Sequence, residues 1–256
     1  MAGTGHLLQA ERVSIRFGGI QALSEVSISV DEGEAVGLVG PNGAGKTTLF
    51  DCISGSQRPQ SGEVRFDGRR IDALPAFRRA RLGIARTFQR IEVFPEMTVR
   101  DHLLVAERAR RGDAVLWRDL LNMGAPRADE LDRVRTLLTT VGLDHVADTP
   151  VAALGLGMCR LVELGRALAT EPRLLLADEP SSGLSPHETH ILAAVLRTIQ
   201  HERGMALLLV EHDLQMVAST VDRVVVLDAG RRIAEGPFDE VIADPEVRRA
   251  YLGRSA

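Results

Sequence analysis

The stretch GPNGAGKTT, residues 40–48, fits the pattern G-x-x-x-x-G-K-[S/T] at every fixed position. It follows an apolar run, residues 35–39, that is typical of a buried strand, and it leads into a helix-like segment ending at Gly55. Strand, glycine-rich turn and helix in this order form a phosphate cradle, because the backbone amides point inward and the helix N-terminus adds partial positive charge. A glycine-rich turn that binds no ligand is the alternative, and the lysine and threonine argue against it.

Two residues of this cradle are expected to bind a nucleoside triphosphate and its magnesium ion. Lys46 would bridge the β- and γ-phosphates, and Thr47 would offer its hydroxyl to Mg²⁺. Lys46 is also the only lysine among the 31 basic residues, which indicates a position where a compact ammonium is needed and a guanidinium does not suffice. The candidate ATP-binding residues of the cradle are Gly40, Pro41, Asn42, Gly43, Ala44, Gly45, Lys46, Thr47 and Thr48.

A second apolar run ends in two carboxylates. Residues 174–177 are typical of a central parallel strand, and Asp178 and Glu179 follow at its carboxyl end. We expect Asp178 to hold Mg²⁺, usually through water, and Glu179 to polarise the attacking water. A strand followed by two solvated acids is common by itself, but the phosphate cradle upstream favours the functional interpretation.

Composition restricts the class of protein. With 256 residues and 45% hydrophobic content, the chain can form one large α/β domain or two small ones, and a net charge of −4 argues against nucleic acid as the main partner. Neither a signal peptide nor a membrane-spanning helix is expected, since the N-terminus lacks the required pattern and no apolar run approaches about 20 residues. Cys52 and Cys159 lack metal-type spacing, which favours a reduced cytosolic protein.

Two arginine clusters, at residues 78–81 and 108–111, are the main concentrations of positive charge. Such clusters usually form a solvated face, and that is the expectation here. A contact with lipid headgroups or with a partner protein is the alternative.

Four further motifs occur in a fixed order around the cradle and the acidic strand. RTFQ (86–89) follows a strand-like run, LGLGM (154–158) precedes the acidic strand, SSGLSP (181–186) follows it, and VEHD (210–213) follows the apolar run ALLLV. This order resembles the nucleotide-binding subunit of ABC transporters over essentially the whole chain. The resemblance implies an ATPase that uses ATP and Mg²⁺, and it separates the chain from P-loop kinases, which would not need these motifs.

The resemblance implies roles for residues outside the cradle. Gln89 is implied as a contact of Mg²⁺ that also senses the membrane subunit, and His212 as the group that holds the γ-phosphate. An aromatic residue ahead of the cradle commonly stacks on adenine, and Phe17 is the candidate, with an edge-strand core aromatic as the alternative. The candidate catalytic residues are Glu179, His212 and Lys46, and the candidate magnesium ligands are Thr47, Gln89 and Asp178.

LGLGM stands where the family has its signature, usually LSGGQ, which contacts the γ-phosphate bound to the other subunit of a dimer. Gly155 replaces the serine and removes a hydroxyl, and Met158 replaces the glutamine. The Gly157 amide and the positive helix end remain, so Gly155 and Gly157 are expected to face the partner's ATP. Because a hydrogen bond to a charged group contributes about 1.5–3 kcal/mol, we expect a weakened signature that still works. Ser185 similarly departs from the aspartate of many ABC ATPases.

The expected fold class is α/β: a P-loop NTPase with a RecA-like, mostly parallel sheet core, an antiparallel β subdomain and an α-helical subdomain. The whole chain, 1–256, is expected to be one ABC nucleotide-binding domain, with its core at about 1–90 and 166–256 and its helical subdomain at about 91–165. Residues 91–99 are expected to face the membrane subunit, with an internal loop as the alternative. The side chains expected to line that contact are Phe94, Pro95 and Met97.

Finer placement comes from resemblance alone. GIARTFQRIEVFPEMTV, GLSPHET and DPEVRRAYLG look like the LivG-type subunits of branched-chain amino-acid importers, and importers of urea or short amides share these stretches. A regulatory ABC module with weak hydrolysis is a further alternative. The expected partners are integral-membrane permease subunits, a second ATPase subunit in a homodimer or heterodimer, and indirectly a periplasmic or extracellular solute-binding protein, with no nucleic acid. The expected location is the cytoplasmic face of the membrane, peripherally bound.

Overall fold

The computed structural model describes residues 5–87, 93–111 and 126–252. Its strands are β1 (Leu8–Phe17), β2 (Ile20–Val30), β3 (Ala35–Val39), β4 (Ser61–Phe66), β5 (Arg69–Arg70), β6 (Ile84–Arg86), β7 (Leu174–Asp178), β8 (Ala206–Val210), β9 (Arg223–Asp228) and β10 (Arg231–Gly236). Its helices are α1 (Lys46–Ser54), α2 (Ala76–Ala80), α3 (Val99–Arg111), α4 (Ala128–Val141), α5 (Leu156–Ala169), α6 (Pro186–Arg203), α7 (Leu214–Thr220), α8 (Phe238–Ala243) and α9 (Pro245–Leu252).

The strands form one mostly parallel sheet and one antiparallel sheet. The larger sheet has the order β10-β9-β3-β8-β7-β6, with β9 to β6 parallel and β10 antiparallel to β9. The smaller sheet has the order β2-β1-β4-β5 and is antiparallel throughout. The expected fold class is therefore confirmed. Because β3, β8 and β7 are parallel neighbours, the segments that follow them meet at one edge of the sheet.

The two faces of the parallel sheet pack against different layers. On β3, Val36 and Leu38 join a core shared with α1 and the antiparallel sheet, whereas Ala35 and Val39 join a core shared with helices α3 to α7. All five residues of β3 are buried. This is the reason that the strand is apolar at consecutive positions and shows no alternation with polar residues.

The α-helical region expected between the two parts of the core contains helices α3, α4 and α5. Helix α4 ends at Gly142, which adopts φ 76°, and α4 packs with α3 and α5 around Leu103, Val134 and Leu138. Gly165 on α5 lies so close to α3 that a Cβ there would be 2.9 Å from a Leu103 methyl carbon. The division into a core and a helical subdomain at residues 90 and 165 stays a prediction. None of the helices within the described ranges is long and apolar enough to cross a membrane.

The expected solvated face at residues 78–81 is wrong for Arg79. Its side chain is 1% exposed and donates to the carbonyl oxygens of Cys52 (2.7 Å), Ile53 (2.8 Å) and Leu74 (2.8 Å). Burial lowers the pKa of Arg79. The guanidinium therefore closes the C-terminal end of α1, where helix carbonyls lack partners, while Arg78 and Arg81 are exposed.

The second cluster, at residues 108–111, is also wrongly assigned as a solvated face. Arg110 and Arg111 pair with the buried carboxylate of Glu107 at 3.0 and 2.8 Å, and Arg108 pairs with the buried Glu130 at 3.2 Å. These arginines offset the cost of burying two carboxylates between α3 and α4. Arg108, through Glu130, and Arg111, through Asp129 at 2.7 Å, link α3 to α4.

Candidate nucleotide site

The cradle, residues 40–48, curls between β3 and α1 because two of its glycines permit close backbone contacts. Gly40 has φ 144° and Gly45 has φ 104°. A Cβ at Gly40 would collide with the Leu227 carbonyl oxygen, and one at Gly45 would lie 2.6 Å from the Ala22 carbonyl oxygen. Only glycine satisfies both the conformation and the space at these positions.

Backbone hydrogen bonds fix the cradle to both sheets. The N–H of Gly230, in the turn between β9 and β10, donates to the Ala44 carbonyl at 3.0 Å, and Ser24 on β2 donates to the Gly230 carbonyl at 2.8 Å. The Leu49 N–H continues the helical pattern by donating to the Gly45 carbonyl at 2.9 Å. Backbone hydrogen bonds to neighbouring elements of the chain therefore fix the conformation of the cradle.

Lys46 lies inside the cradle, 5% exposed. Its Nζ donates to the carbonyl oxygens of Gly40 (2.7 Å) and Pro41 (3.1 Å). Burial lowers the pKa of Lys46, while the nearby Glu179 and Asp178 carboxylates act in the opposite direction. The ammonium is held at the loop by two neutral acceptors, which anionic phosphate oxygens would outcompete.

Asp178 ends β7 and is buried, and burial raises its pKa. Its Oδ2 accepts from Arg86 Nη2 at 2.8 Å. Arg86, on β6, also donates to Asp51 Oδ1 (2.6 Å) and Ser54 Oγ (3.0 Å) on α1. This arginine links three elements around the acid, and the sequence analysis did not find it because Arg86 and Asp178 are far apart in the chain.

Glu179 and His212 are brought into contact. The Glu179 Oε1 atom lies 2.7 Å from His212 Nε2, and the histidine side chain is 44% exposed. Glu179 adopts φ 46°, a left-handed conformation that is costly for a residue with a side chain, and its N–H donates to the Val210 carbonyl at 2.8 Å. The strained turn directs the carboxylate away from the strand and towards the loop that carries His212.

Glu211 is a site residue that the sequence analysis missed. Its buried carboxylate accepts from the backbone N–H of Ser181 (2.8 Å) and of His212 (3.0 Å). It therefore ties the loop after β7 to the loop after β8, the two loops that present Glu179 and His212. An acid directly after the apolar run of β8 was the available signal.

The cradle, Glu179 and His212 line one cavity of about 300 Å³. Its remaining wall is the start of β2, from Ile20 to Ala22. Phe17 is 49% exposed at the end of β1, so the core-aromatic alternative is wrong. Phe17 pairs with Ile20 across the hairpin, and Ile20 is a second exposed apolar side chain that the sequence analysis missed. The stacking role of Phe17 stays a prediction.

The oxygen donors near the cavity suit Mg²⁺, which prefers carboxylate and hydroxyl ligands. Thr47 lies at the start of α1 with its side chain exposed, and Asp178 already lies beside one positive group, Arg86. This donor set fits the expected cation. Gln89, the third expected ligand, lies outside the described residues.

The signature segment, residues 154–158, lies apart from this cavity and begins α5. Gly155 is the N-cap, with φ −71° and no side-chain cap, and a Cβ added to it would meet no atom within 4 Å. Leu156 and Met158 are 39% and 36% exposed. None of these residues lines the cavity that the cradle forms.

Comparisons with known proteins match this geometry. The family described as ABC transporter matches residues 23–182, and the family described as branched-chain amino acid ATP-binding cassette transporter matches residues 231–256. The high-affinity branched-chain amino acid transport ATP-binding protein BraF of Pseudomonas aeruginosa is 37% identical over 97% of this chain and 98% of its own length. Its counterpart LivG of Escherichia coli is 36% identical over the same shares.

Solved structures give the same result. An ATP-binding cassette of an ABC transporter, solved in its ADP conformation, has a TM-score of 0.86 and 33% identity, and the match covers 98% of this chain and all of that one. The protein cbiO1 from Clostridium perfringens, part of an ABC transporter complex, has a TM-score of 0.80 and 29% identity over 98% of this chain and 96% of that one.

Proposed function

This chain belongs to the ABC transporter family and is an ATP-hydrolysing subunit, and from that premise we propose that it powers the import of branched-chain or other hydrophobic amino acids. The observation that supports the solute class is the match of residues 231–256 to the branched-chain family. The cavity between the cradle and the Glu179–His212 pair supports the chemistry.

In the proposed mechanism the cradle binds the phosphates. The backbone amides of the loop and the N-terminus of α1 surround them, and Lys46 exchanges its two carbonyl partners for phosphate oxygens. These groups are fixed before the nucleotide arrives, so little reorganisation accompanies the reaction. Phe17 and Ile20 offer exposed apolar surface to the base.

We assign hydrolysis to the Glu179 carboxylate and the His212 imidazole, which are in contact. Glu179 orients and polarises water for attack on the γ-phosphate and accepts the proton that the water loses. His212 holds the γ-phosphate and keeps the Glu179 carboxylate in place through the 2.7 Å contact. Glu211 fixes both loops, so the pair stays aligned.

Magnesium would be held by Asp178 and Thr47, together with Gln89, and it would neutralise charge on the phosphates during the reaction. On the protein side, Arg86 keeps the Asp178 carboxylate at the end of β7 when no cation is bound. The Asp178 carboxylate is therefore oriented before magnesium binds.

A permease is the proposed membrane partner. The Phe94 side chain is 61% exposed. Its backbone is held in place, because the Phe94 carbonyl oxygen lies 3.1 Å from the Nε2 atom of the buried His102. A second apolar surface is a groove of about 400 Å³ between α2 and α3 that includes Phe77 and Thr87, two residues before Gln89. Both surfaces support contact with a membrane subunit and a peripheral location on the cytoplasmic face.

Replacing Phe94 by Asp tests the partner. The variant is expected to bind ATP like the wild type and to lose its permease, because a carboxylate would have to be desolvated in an apolar contact. Co-purification with the permease measures this, and Val105→Asp, at another exposed apolar position, is the control. Wild-type yield of the Phe94→Asp complex would contradict the proposed surface.

Uptake in cells that lack the gene for this chain tests the solute class. We expect radiolabelled leucine uptake to be lost and to return with the wild-type chain, whereas urea and acetamide uptake should be unaffected. Loss of urea or acetamide uptake with normal leucine uptake would favour the alternative importers. A complex that retains full transport with Glu179→Gln would favour the regulatory module with weak hydrolysis.

A further inference from the structure

One carboxylate, that of Glu188, connects Ser185, which departs from the family pattern, with Gly157 of the signature segment. Glu188, in the first turn of α6, accepts from the Ser185 N–H (2.9 Å) and hydroxyl (2.7 Å) through Oε2. Its other oxygen, Oε1, lies where a Cβ on Gly157 would come within 2.7 Å. The Glu188 side chain therefore lies directly against the first turn of α5.

The first turn of α5 is a position that attracts anions. Gly155 is its N-cap and supplies no side-chain cap, so the following backbone N–H groups lack partners within the helix. The Gly157 N–H faces the Glu188 carboxylate and, after the stronger contribution of Ser185, lowers the pKa of Glu188. The carboxylate is thus ionised at neutral pH and supplies the negative charge that this helix end favours.

The partner's γ-phosphate would have to reach the same amide. The resemblance to ABC transporter subunits implies that the signature segment contacts, through Gly157, the nucleotide held by a second ATPase subunit. A carboxylate beside that amide repels an incoming phosphate and competes for the same donor. The serine hydroxyl that most signatures would offer is missing at Gly155, so the phosphate has fewer compensating contacts.

We propose that Glu188 is an autoinhibitory anion, held by Ser185 on the N-terminus of α5, which the γ-phosphate of the partner subunit's ATP must displace before the dimer closes. This rests on the proposed function, since it needs the signature to act across a dimer. It also gives Ser185 a role: its hydroxyl donates to Glu188. The consequence is a higher ATP requirement for dimer closure.

Glu188→Gln separates charge from structure. Glutamine at the third helical position still completes a capping box with Ser185, so the start of α6 keeps its hydrogen bonds while the negative charge is removed. Glu202→Gln, near the exposed C-terminal end of the same helix, is the matched control. Both substitutions are made in the Glu179→Gln variant so that hydrolysis does not dissolve the dimer.

ATP-dependent dimer formation, measured by sedimentation velocity, is the test. We expect Glu188→Gln to lower the ATP concentration at the midpoint about tenfold, because one like charge is removed from the phosphate's position, and Glu202→Gln to leave it unchanged. Ser185→Ala, which frees Glu188 from one donor, should lower the midpoint by a smaller factor. Circular dichroism confirms that each variant is folded.

Two results would overturn the proposal, and they differ. If dimers form with ATP and the midpoint is the same with Glu188 and with glutamine, the autoinhibitory contact is wrong and the dimeric signature stands. If no variant forms dimers at any ATP concentration, the trans contact that the resemblance implies fails, and the inference fails with it.

Discussion

The two surfaces of this chain that are proposed to face a nucleotide differ in completeness. The cis surface, formed by residues 40–48, Glu179 and His212, brings residues 42–48 and the Glu179 and His212 side chains to one cavity. The trans surface, formed by residues 154–160 with Ser185 and Glu188, lacks a hydroxyl and carries a carboxylate against its helix. Under the proposed function, the groups that this chain offers to its own nucleotide would be unimpaired, whereas its contribution to the partner's site would be weakened.

The physical basis of the two surfaces also differs. The cis groups follow adjacent parallel strands, so the sheet itself brings them to one edge. The trans groups lie on the first turns of two helices, α5 and α6. A single capping side chain can change the contacts of the backbone N–H groups there. A substitution therefore has a larger expected effect on the cis surface than on the trans surface.

The largest expected effect is the loss of turnover in Glu179→Gln. Removal of the group that accepts the water's proton should lower ATPase activity by roughly 10²–10⁴-fold, while nucleotide affinity stays near the wild-type value. Phosphate release and equilibrium ATP binding measure the two quantities. Turnover close to wild type would show that the cis surface does not hold the catalytic carboxylate here.

Arg86→Met should destabilise the fold by about 3–5 kcal/mol, since it leaves the buried Asp178 without its cationic partner. Denaturant unfolding without nucleotide measures the change. Arg81→Met, which removes an exposed guanidinium from the end of α2, is the control and should change stability by less than about 0.5 kcal/mol. Equal effects of the two substitutions would show that the Arg86–Asp178 pair does not stabilise the fold.

Gly155→Ser should raise ATPase turnover of the assembled transporter by roughly tenfold. The missing hydroxyl is worth about 1.5–3 kcal/mol towards a charged partner, and a serine side chain fits because space beside Gly155 is open. Ala153→Ser, which adds a hydroxyl to an exposed position two residues earlier, is the control. Unchanged turnover in Gly155→Ser would mean that the trans surface is not limited by this hydroxyl.

The smallest expected effects are pH dependences of opposite sign. Burial raises the pKa of Asp178 above 3.8, so wild-type stability relative to Asp178→Asn should fall as the pH rises from below 3.8 through the raised value. Ser185 lowers the pKa of Glu188 below 4.5, so the advantage of wild type over Glu188→Gln should be present above 4.5 and lost as the pH falls through the lowered value. Unfolding at several pH values tests both signs.

Much of the cis surface could be predicted because its signals are local. The cradle is contiguous, Asp178 and Glu179 stand at the end of one apolar strand, and His212 comes two residues after another. Contacts between distant residues could not be predicted in this way. Arg86 on β6 contacts Asp178 on the neighbouring strand β7 and also contacts α1, and no spacing in the sequence indicates that pair.

The arginine clusters show the same limit. Charge runs predict exposure on average, yet Arg79 is buried because the end of α1 leaves carbonyl oxygens that need donors. The position of the Glu188 side chain beside Gly157 similarly could not be predicted from the sequence. The capping box with Ser185 is a local pattern, but its approach to Gly157 depends on how α5 and α6 lie against each other.

Equilibrium ATP binding to the isolated subunit tests most directly whether the cis surface alone holds the nucleotide. We predict that Lys46→Ala weakens binding by roughly tenfold to a hundredfold, the value of a charge-assisted hydrogen bond, while Gly155→Ser binds like the wild type. Undiminished binding by Lys46→Ala, or a change in affinity caused by Gly155→Ser, would contradict this account.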